Sequence, residues 1–115
     1  MVDDDAAVLD ALTFALESEG FQVVACSDAA SALEAPTAST VCLIVDHHLP
    51  DISGLELLTQ LRARGACGAA ILITTDPPSP LRLRAERMGV PVVEKPFLNH
   101  TLLKAIREQV AAAGS

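Results

Sequence analysis

Tryptophan and tyrosine are absent from these 115 residues, and three phenylalanines are the only aromatics. Half of the chain is nevertheless apolar, so it can bury a core built from Leu, Val, Ile and Ala, and disorder is not expected. No apolar run approaches the roughly 20 residues of a membrane span. The basic, apolar and small segments of a secretory leader are also missing from the start. The expectation is a cytoplasmic protein with no membrane contact. Positive charge is scarce: 8 Lys and Arg stand against 15 Asp and Glu, a net charge of −7. Direct nucleic-acid binding, which rests on neutralising phosphates, is not expected. Arg82, Arg84 and Arg87 read as the solvated face of a helix. The three cysteines, Cys26, Cys42 and Cys67, lack metal or redox spacing. Two of them lie in or beside apolar runs, where a reduced cysteine acts as a small hydrophobe.

What is present is a fivefold alternation of strand-like and helix-like segments. The strand candidates are 1–3, 21–26, 41–46, 70–74 and 91–95. Between them Val8, Leu12, Ala15 and Leu16 form one helical stripe, closed by Gly20. Asp28 is placed to cap a short helix over 29–35 that Pro36 ends. Leu55, Leu58 and Leu61 share a face of a third helix stopped by Gly65. Asn99 is placed to cap a last helix carrying Leu102, Leu103, Ile106 and Val110. The segments 41–46 and 70–74 are apolar throughout, as parallel strands covered on both faces are. The expected fold is one α/β domain over 1–115, a doubly wound five-stranded parallel sheet. Its first strand is short, with only Met1 and Val2 ahead of the acidic run.

Ligands of such sheets bind beyond the C-terminal strand ends. The first strand ends in Asp3, Asp4 and Asp5, the third in Asp46, the fourth in Thr74, and the fifth in Lys95 followed by Pro96. One rim therefore collects several carboxylates, a hydroxyl and an ammonium. Carboxylates gathered this closely repel one another, and a hard divalent cation such as Mg²⁺ relieves the repulsion. A carboxylate beside such a cation, a hydroxyl and a lysine is equipped to accept a phosphoryl group. Either Asp4 or Asp5 also serves as a natural cap for the following helix.

The pieces "VDDD" at 2–5, "LIVDHHLPDISGLELL" at 43–58, "ILITT" at 71–75 and "EKPF" at 94–97 carry a resemblance. Through them the chain resembles the receiver domain of bacterial two-component response regulators over essentially its whole length, a resemblance that implies the flavodoxin-like strand order 2-1-3-4-5. The resemblance implies that Asp46 is the phosphoacceptor and that Asp3 and Asp4 form the acidic pair. Asp4 is then a direct ligand of Mg²⁺ (or Mn²⁺), with the His48 backbone carbonyl as another. Thr74 becomes the switch hydroxyl, Lys95 the site lysine, and Lys95–Pro96 a cis bond. The phosphoryl donor would be a sensor histidine kinase or a histidine phosphotransfer protein. Such a protein is a signalling phosphoacceptor, with self-catalysed transfer and autodephosphorylation as its only chemistry. No effector domain is expected in 1–115. A homodimer through the last two helices is a further expectation, with Arg82, Arg84, Arg87, Lys104 and Arg107 as candidate charges.

Several positions depart from the family pattern. Val92 stands where many receivers carry Tyr or Phe, so an aromatic swing is not available. Thr75 stands where Ala or Gly is usual, beside the site. His48 and Asp76 flank the acceptor and are expected to modulate the phosphoryl lifetime, by pairing across its mouth. The string "DPPSPLRLR" at 76–84 predicts a stiff loop and a shortened fourth helix. Leu9 is either a core residue or part of a kinase-facing helix surface. Two other readings stand beside the receiver. A pseudo-receiver would signal by binding without phosphorylation, as the short first strand and Val92 suggest. The string Asp46-His47-His48 also occurs in metal-dependent phosphoesterases, whose Asp and His side chains hold the metals. Here Leu49-Pro50-Asp51-Ile52-Ser53-Gly54 continues as a receiver loop, so His47 and His48 are read as loop residues.

Overall fold

The computed structural model describes residues 1–35, 41–66, 69–75 and 77–113. The expectations for Pro36, Cys67 and Asp76 lie outside the described residues. Eight elements follow in order: α1 (Ala6–Ser18), α2 (Ala29–Glu34), β1 (Leu43–Asp46), α3 (Gly54–Ala63), β2 (Ala70–Thr74), α4 (Ser79–Arg87), β3 (Val92–Glu94) and α5 (Asn99–Ala113). β1 pairs with β2 and β2 with β3, both in parallel.

Among the described residues three regular strands stand where five were expected, and the other two expected strands appear as single bridges. Val2 bridges Cys26 on one side and Val45 on the other, both in parallel. The Val2 N–H donates to the Ile44 carbonyl at 2.8 Å, and the Asp46 N–H to the Val2 carbonyl at 2.8 Å. On the other side the Cys26 N–H reaches the Met1 carbonyl at 2.9 Å. The lateral order is thus the 26 segment, the 2 segment, β1, β2, β3, which is 2-1-3-4-5. The acidic turn begins at once after Val2, so only one bridging residue is available on each side. Beside it, a partly open apolar cavity of about 430 Å³ is lined by residues such as Phe21, Val23, Leu43 and Ile106.

The apolar runs of β1 and β2 are explained by two cores. Leu43, Val45, Ala70 and Leu72 pack with Ala29 and Ala32 of α2, Leu55, Leu58 and Leu61 of α3, and Leu81 and Ala85 of α4. Ile44, Ile71 and Ile73 turn to the other face, against Leu12 and Leu16 of α1 and Leu102 and Ile106 of α5. Every residue of these two strands is buried. Leu9 is also buried, so it belongs to the core side of α1.

Side-chain caps define most helix starts. The Asp5 carboxylate accepts from Ala7 and Val8 N–H groups, Asp28 from Ser31 and Ser53 from Glu56. Gly20 and Gly65, just past α1 and α3, take positive φ values of 93° and 91°. Pro78 precedes α4 and Pro80 sits in its first turn, where a missing N–H costs nothing. The helix is accordingly 9 residues long. Asn99, expected as a cap, is instead the first residue of α5. The Leu98 carbonyl already accepts from the Thr101 N–H at 3.0 Å, which starts the winding one residue early.

Candidate functional site

The C-terminal rim of the sheet brings Asp3, Asp46, Thr74 and Lys95 together. Asp3, Asp46 and Thr74 are 1%, 3% and 0% exposed, the only buried polar or charged residues among those described. Burial of two carboxylates demands compensation, and Lys95 supplies it. Its Nζ donates to Asp3 Oδ2 at 3.0 Å and to Asp46 Oδ2 at 3.3 Å. The Lys95 N–H is itself held on the Thr74 carbonyl at 2.8 Å, so the ladder of β2 and β3 aims the side chain. The Lys95–Pro96 bond is cis.

Backbone donors complete the shell. The Asp5 N–H donates to Asp3 Oδ1 at 2.9 Å and the His48 N–H to Asp46 Oδ1 at 3.2 Å. Burial pushes the Asp46 carboxyl above its ordinary pKa and the Asp3 charge adds to this, while the His48 N–H and Lys95 only partly offset them. For Lys95, partial burial works to lower the pKa, but the bonds and charges of Asp3 and Asp46 win and hold it above the usual value. The lysine therefore stays charged at neutral pH.

Asp3, Asp4 and Asp46 each place a carboxylate oxygen within 4.8 Å of the others, with Asp4 exposed to solvent. Oxygen donors alone, two from buried carboxylates and one open to water, fit a hard divalent cation that keeps part of its hydration. The two histidines stand outside this group. His47 packs edge-on against His48, ring centroids 5.3 Å apart, and burial lowers its pKa with His48 and Arg84 adding to the effect. His48 Nε2 lies 3.3 Å from Thr74 Oγ1. The ring of His48 thus meets the hydroxyl of the rim, and Asp76, its expected partner, is outside the described residues. Thr75 is exposed and lines a shallow groove with Val8, Ala11, Leu12, Lys95 and Phe97. Val92 is half-buried in β3 beside Leu72.

Two residues read from the sequence only as parts of the receiver loop take supporting roles here. Asp51 accepts from the Ala29 and Ala30 N–H groups at 3.1 and 3.0 Å, tying the loop after β1 to the start of α2. Gly54 lies so close to the end of β1 that a Cβ there would stand 2.4 Å from the Asp46 carbonyl oxygen. Its place in "LPDISG" is the only sequence signal for that contact. Cys26 and Cys42 are both half-buried, and burial pushes the Cys26 thiol above its ordinary pKa. Among the expected interface cations, Arg82 pairs with Glu94, Arg107 with Glu19 at 3.2 Å, and Lys104 with Glu108 at 4.0 Å. No helix among the described residues is long and apolar enough to cross a membrane.

The profile of the response regulator receiver domain matches residues 1–107. The transcriptional regulatory protein FixJ of Azorhizobium caulinodans is 40% identical over 109 residues, 93% of this chain and 52% of FixJ. The response regulator protein TodT of Pseudomonas putida is 36% identical over 115 residues, 98% of this chain and 51% of TodT. The chain thus spans about half the length of these curated relatives. A CheY-like receiver domain protein from Methanospirillum hungatei superposes with a TM-score of 0.86 at 28% identity, covering 98% of this chain and 92% of that one. The response regulator StyR superposes at 0.85 with 33% identity, over 98% of this chain and 58% of its own. With a parallel α/β sheet whose rim carries the acidic group, the hydroxyl and the lysine, this chain belongs to the response regulator receiver domain family.

Proposed function

We propose that Asp46 accepts a phosphoryl group from a phosphohistidine and that the resulting acyl phosphate switches the protein's contacts. The observation that carries this reading is the setting of Asp46. It ends β1, buried, with one oxygen on Lys95 and an acidic neighbour in Asp3. A carboxylate oxygen of Asp46 attacks phosphorus, the phosphorus–nitrogen bond breaks, and its electron pair returns to the donor's imidazole. Lys95, held charged between the two carboxylates, is placed to neutralise a phosphoryl oxygen. Thr74 is placed to hydrogen-bond the transferred group. Asp3, Asp4, Asp46 and the His48 backbone carbonyl are assigned to Mg²⁺ (or Mn²⁺), which when bound screens the charge of the phosphoryl oxygens. Hydrolysis of the acyl phosphate at this site resets the switch, with no other turnover.

The partners inferred are a sensor histidine kinase or a histidine phosphotransfer protein, in the cytoplasm. A homodimer through α4 and α5, without direct nucleic-acid or membrane contact by these residues, belongs to the same reading. The test is intact mass spectrometry after incubation with Mg²⁺ and acetyl phosphate, beside Asp46→Asn. The expected result is one phosphoryl adduct on the wild type and none on the variant. If a phosphohistidine donor also leaves the folded wild type unmodified, the reading fails and signalling without phosphorylation replaces it.

A further inference from the structure

We propose that the His48 imidazole is a latch on Thr74, holding its hydroxyl in the unphosphorylated chain and releasing it when Asp46 is phosphorylated. The inference rests on the reading of Asp46 as phosphoacceptor. Thr74 is completely buried, and a buried hydroxyl left without a partner is destabilising. Among the described residues its hydroxyl contacts His48 Nε2, at 3.3 Å, and makes no hydrogen bond to Asp46 or Lys95. Thr74 is β-branched and stiff about χ1, so this contact selects one rotamer. Turning the hydroxyl about χ1 toward a group on Asp46 takes Thr74 out of the rotamer that makes this contact. Where Nε2 is the acceptor, it also holds the hydroxyl's single proton.

The latch is anchored at both ends. The His48 N–H binds Asp46 Oδ1 at 3.2 Å, and the residue forms an antiparallel bridge with Ser53 at the mouth of α3. The ring rests edge-on against His47, whose N–H is fixed on the Ile73 carbonyl at 2.8 Å. His48 itself is exposed, so its ring can swing into solvent on release. Acceptor and hydroxyl are therefore coupled through one residue: its backbone reads Asp46 and its side chain holds Thr74. His48 is a positioning residue in this scheme, acting on the phosphoryl group through Thr74.

The experiment titrates beryllofluoride with Mg²⁺ into wild type, His48→Ala and His48→Gln, following the Thr74 γ-methyl resonance by NMR. In His48→Ala, before any ligand, the resonance is expected to shift toward its beryllofluoride-bound position. Beryllofluoride should bind this variant about two- to tenfold more tightly, the factor carried by one neutral hydrogen bond. Glutamine, whose amide reaches a similar distance, should restore both readouts toward wild type. Wild-type-like affinity and an unmoved Thr74 resonance in His48→Ala would overturn the latch while leaving the phosphoacceptor reading intact. Wild type that neither binds beryllofluoride nor forms an adduct on Asp46 removes the phosphoacceptor reading, and the latch with it.

Discussion

Gly54 illustrates how a missing side chain shapes the acceptor. A Cβ at this position would meet the Asp46 carbonyl oxygen at 2.4 Å and His47 Cα at 2.8 Å, both backbone atoms that cannot rotate aside. Its N–H meanwhile donates to the His47 carbonyl at 3.0 Å. Glycine thus lets the start of α3 close onto the end of β1, and that closure holds the loop carrying His48. Gly54→Ala should lose about 1–3 kcal/mol of stability in urea titrations, the usual cost of overpacking. Its phosphorylation should slow as the end of β1 is displaced. An alanine variant as stable as wild type would show that this backbone yields easily. Lys95 works at the same scale, bridging two buried carboxylates and offsetting part of their mutual repulsion.

Among the elements, α2 depends most on its caps, because six residues cannot sustain a helix alone. Asp28 caps it from within its own segment, through the Ser31 N–H at 2.8 Å. Asp51 caps it from the loop after β1. Desolvation works to raise the Asp51 pKa, but the N–H groups of Ala29, Ala30 and Ile52 together with its own outweigh it and hold the carboxyl below 3.8. A depressed carboxylate contributes stability above its unfolded pKa and loses it as pH falls through the folded value. Asp51→Ala should therefore lower the urea midpoint at neutral pH. The gap from wild type should close on acidification below 3.8, which a series of urea midpoints against pH measures. A gap that stays constant with pH would mean that the charge of Asp51 plays no part. Helix α4 lies at the other end of the sheet, where Arg82 pairs with Glu94 of β3. Both side chains are about half exposed, so the pair adds little stability and is free to exchange partners.

Across the whole molecule, apolar burial and charge are separated along the strands. The two cores occupy the faces of the sheet, and the buried carboxylates Asp3 and Asp46, with Lys95, are collected on its C-terminal rim. Stability and signalling are coupled there, because the rim charges are set by the ends of the strands that form the core. A divalent cation on Asp3, Asp4 and Asp46 should stabilise the entire fold by mass action. Mg²⁺ at 100 times its Kd is expected to add about 2.7 kcal/mol to the unfolding free energy of wild type. Asp46→Asn should gain much less at the same concentration. Urea denaturation with and without Mg²⁺ measures both, and equal gains would remove Asp46 from the metal site.

The apolar runs at 43–45 and 70–73, the glycines at helix ends, and the acidic, hydroxyl and lysine residues at successive strand ends were all legible in order. A chain's local pattern reports which face of an element is apolar and where that element stops, so fold class and the rim set followed from it, while the strand order came from the family resemblance. Local pattern does not report distances between segments remote in sequence. The reduction of two strands to bridges at Val2, the Asp51 caps on α2 and the meeting of His48 with Thr74 depend on how the sheet brings those segments side by side. Asn99 was misplaced by one residue because a single earlier carbonyl, Leu98, extended the first turn of α5. By itself the sequence determined which groups reach the rim, through the periodicity of strands and the chemistry of turns. Only the tertiary structure decided which of them touch, because contact at 3 Å is a property of packing between elements and leaves no local mark on the chain.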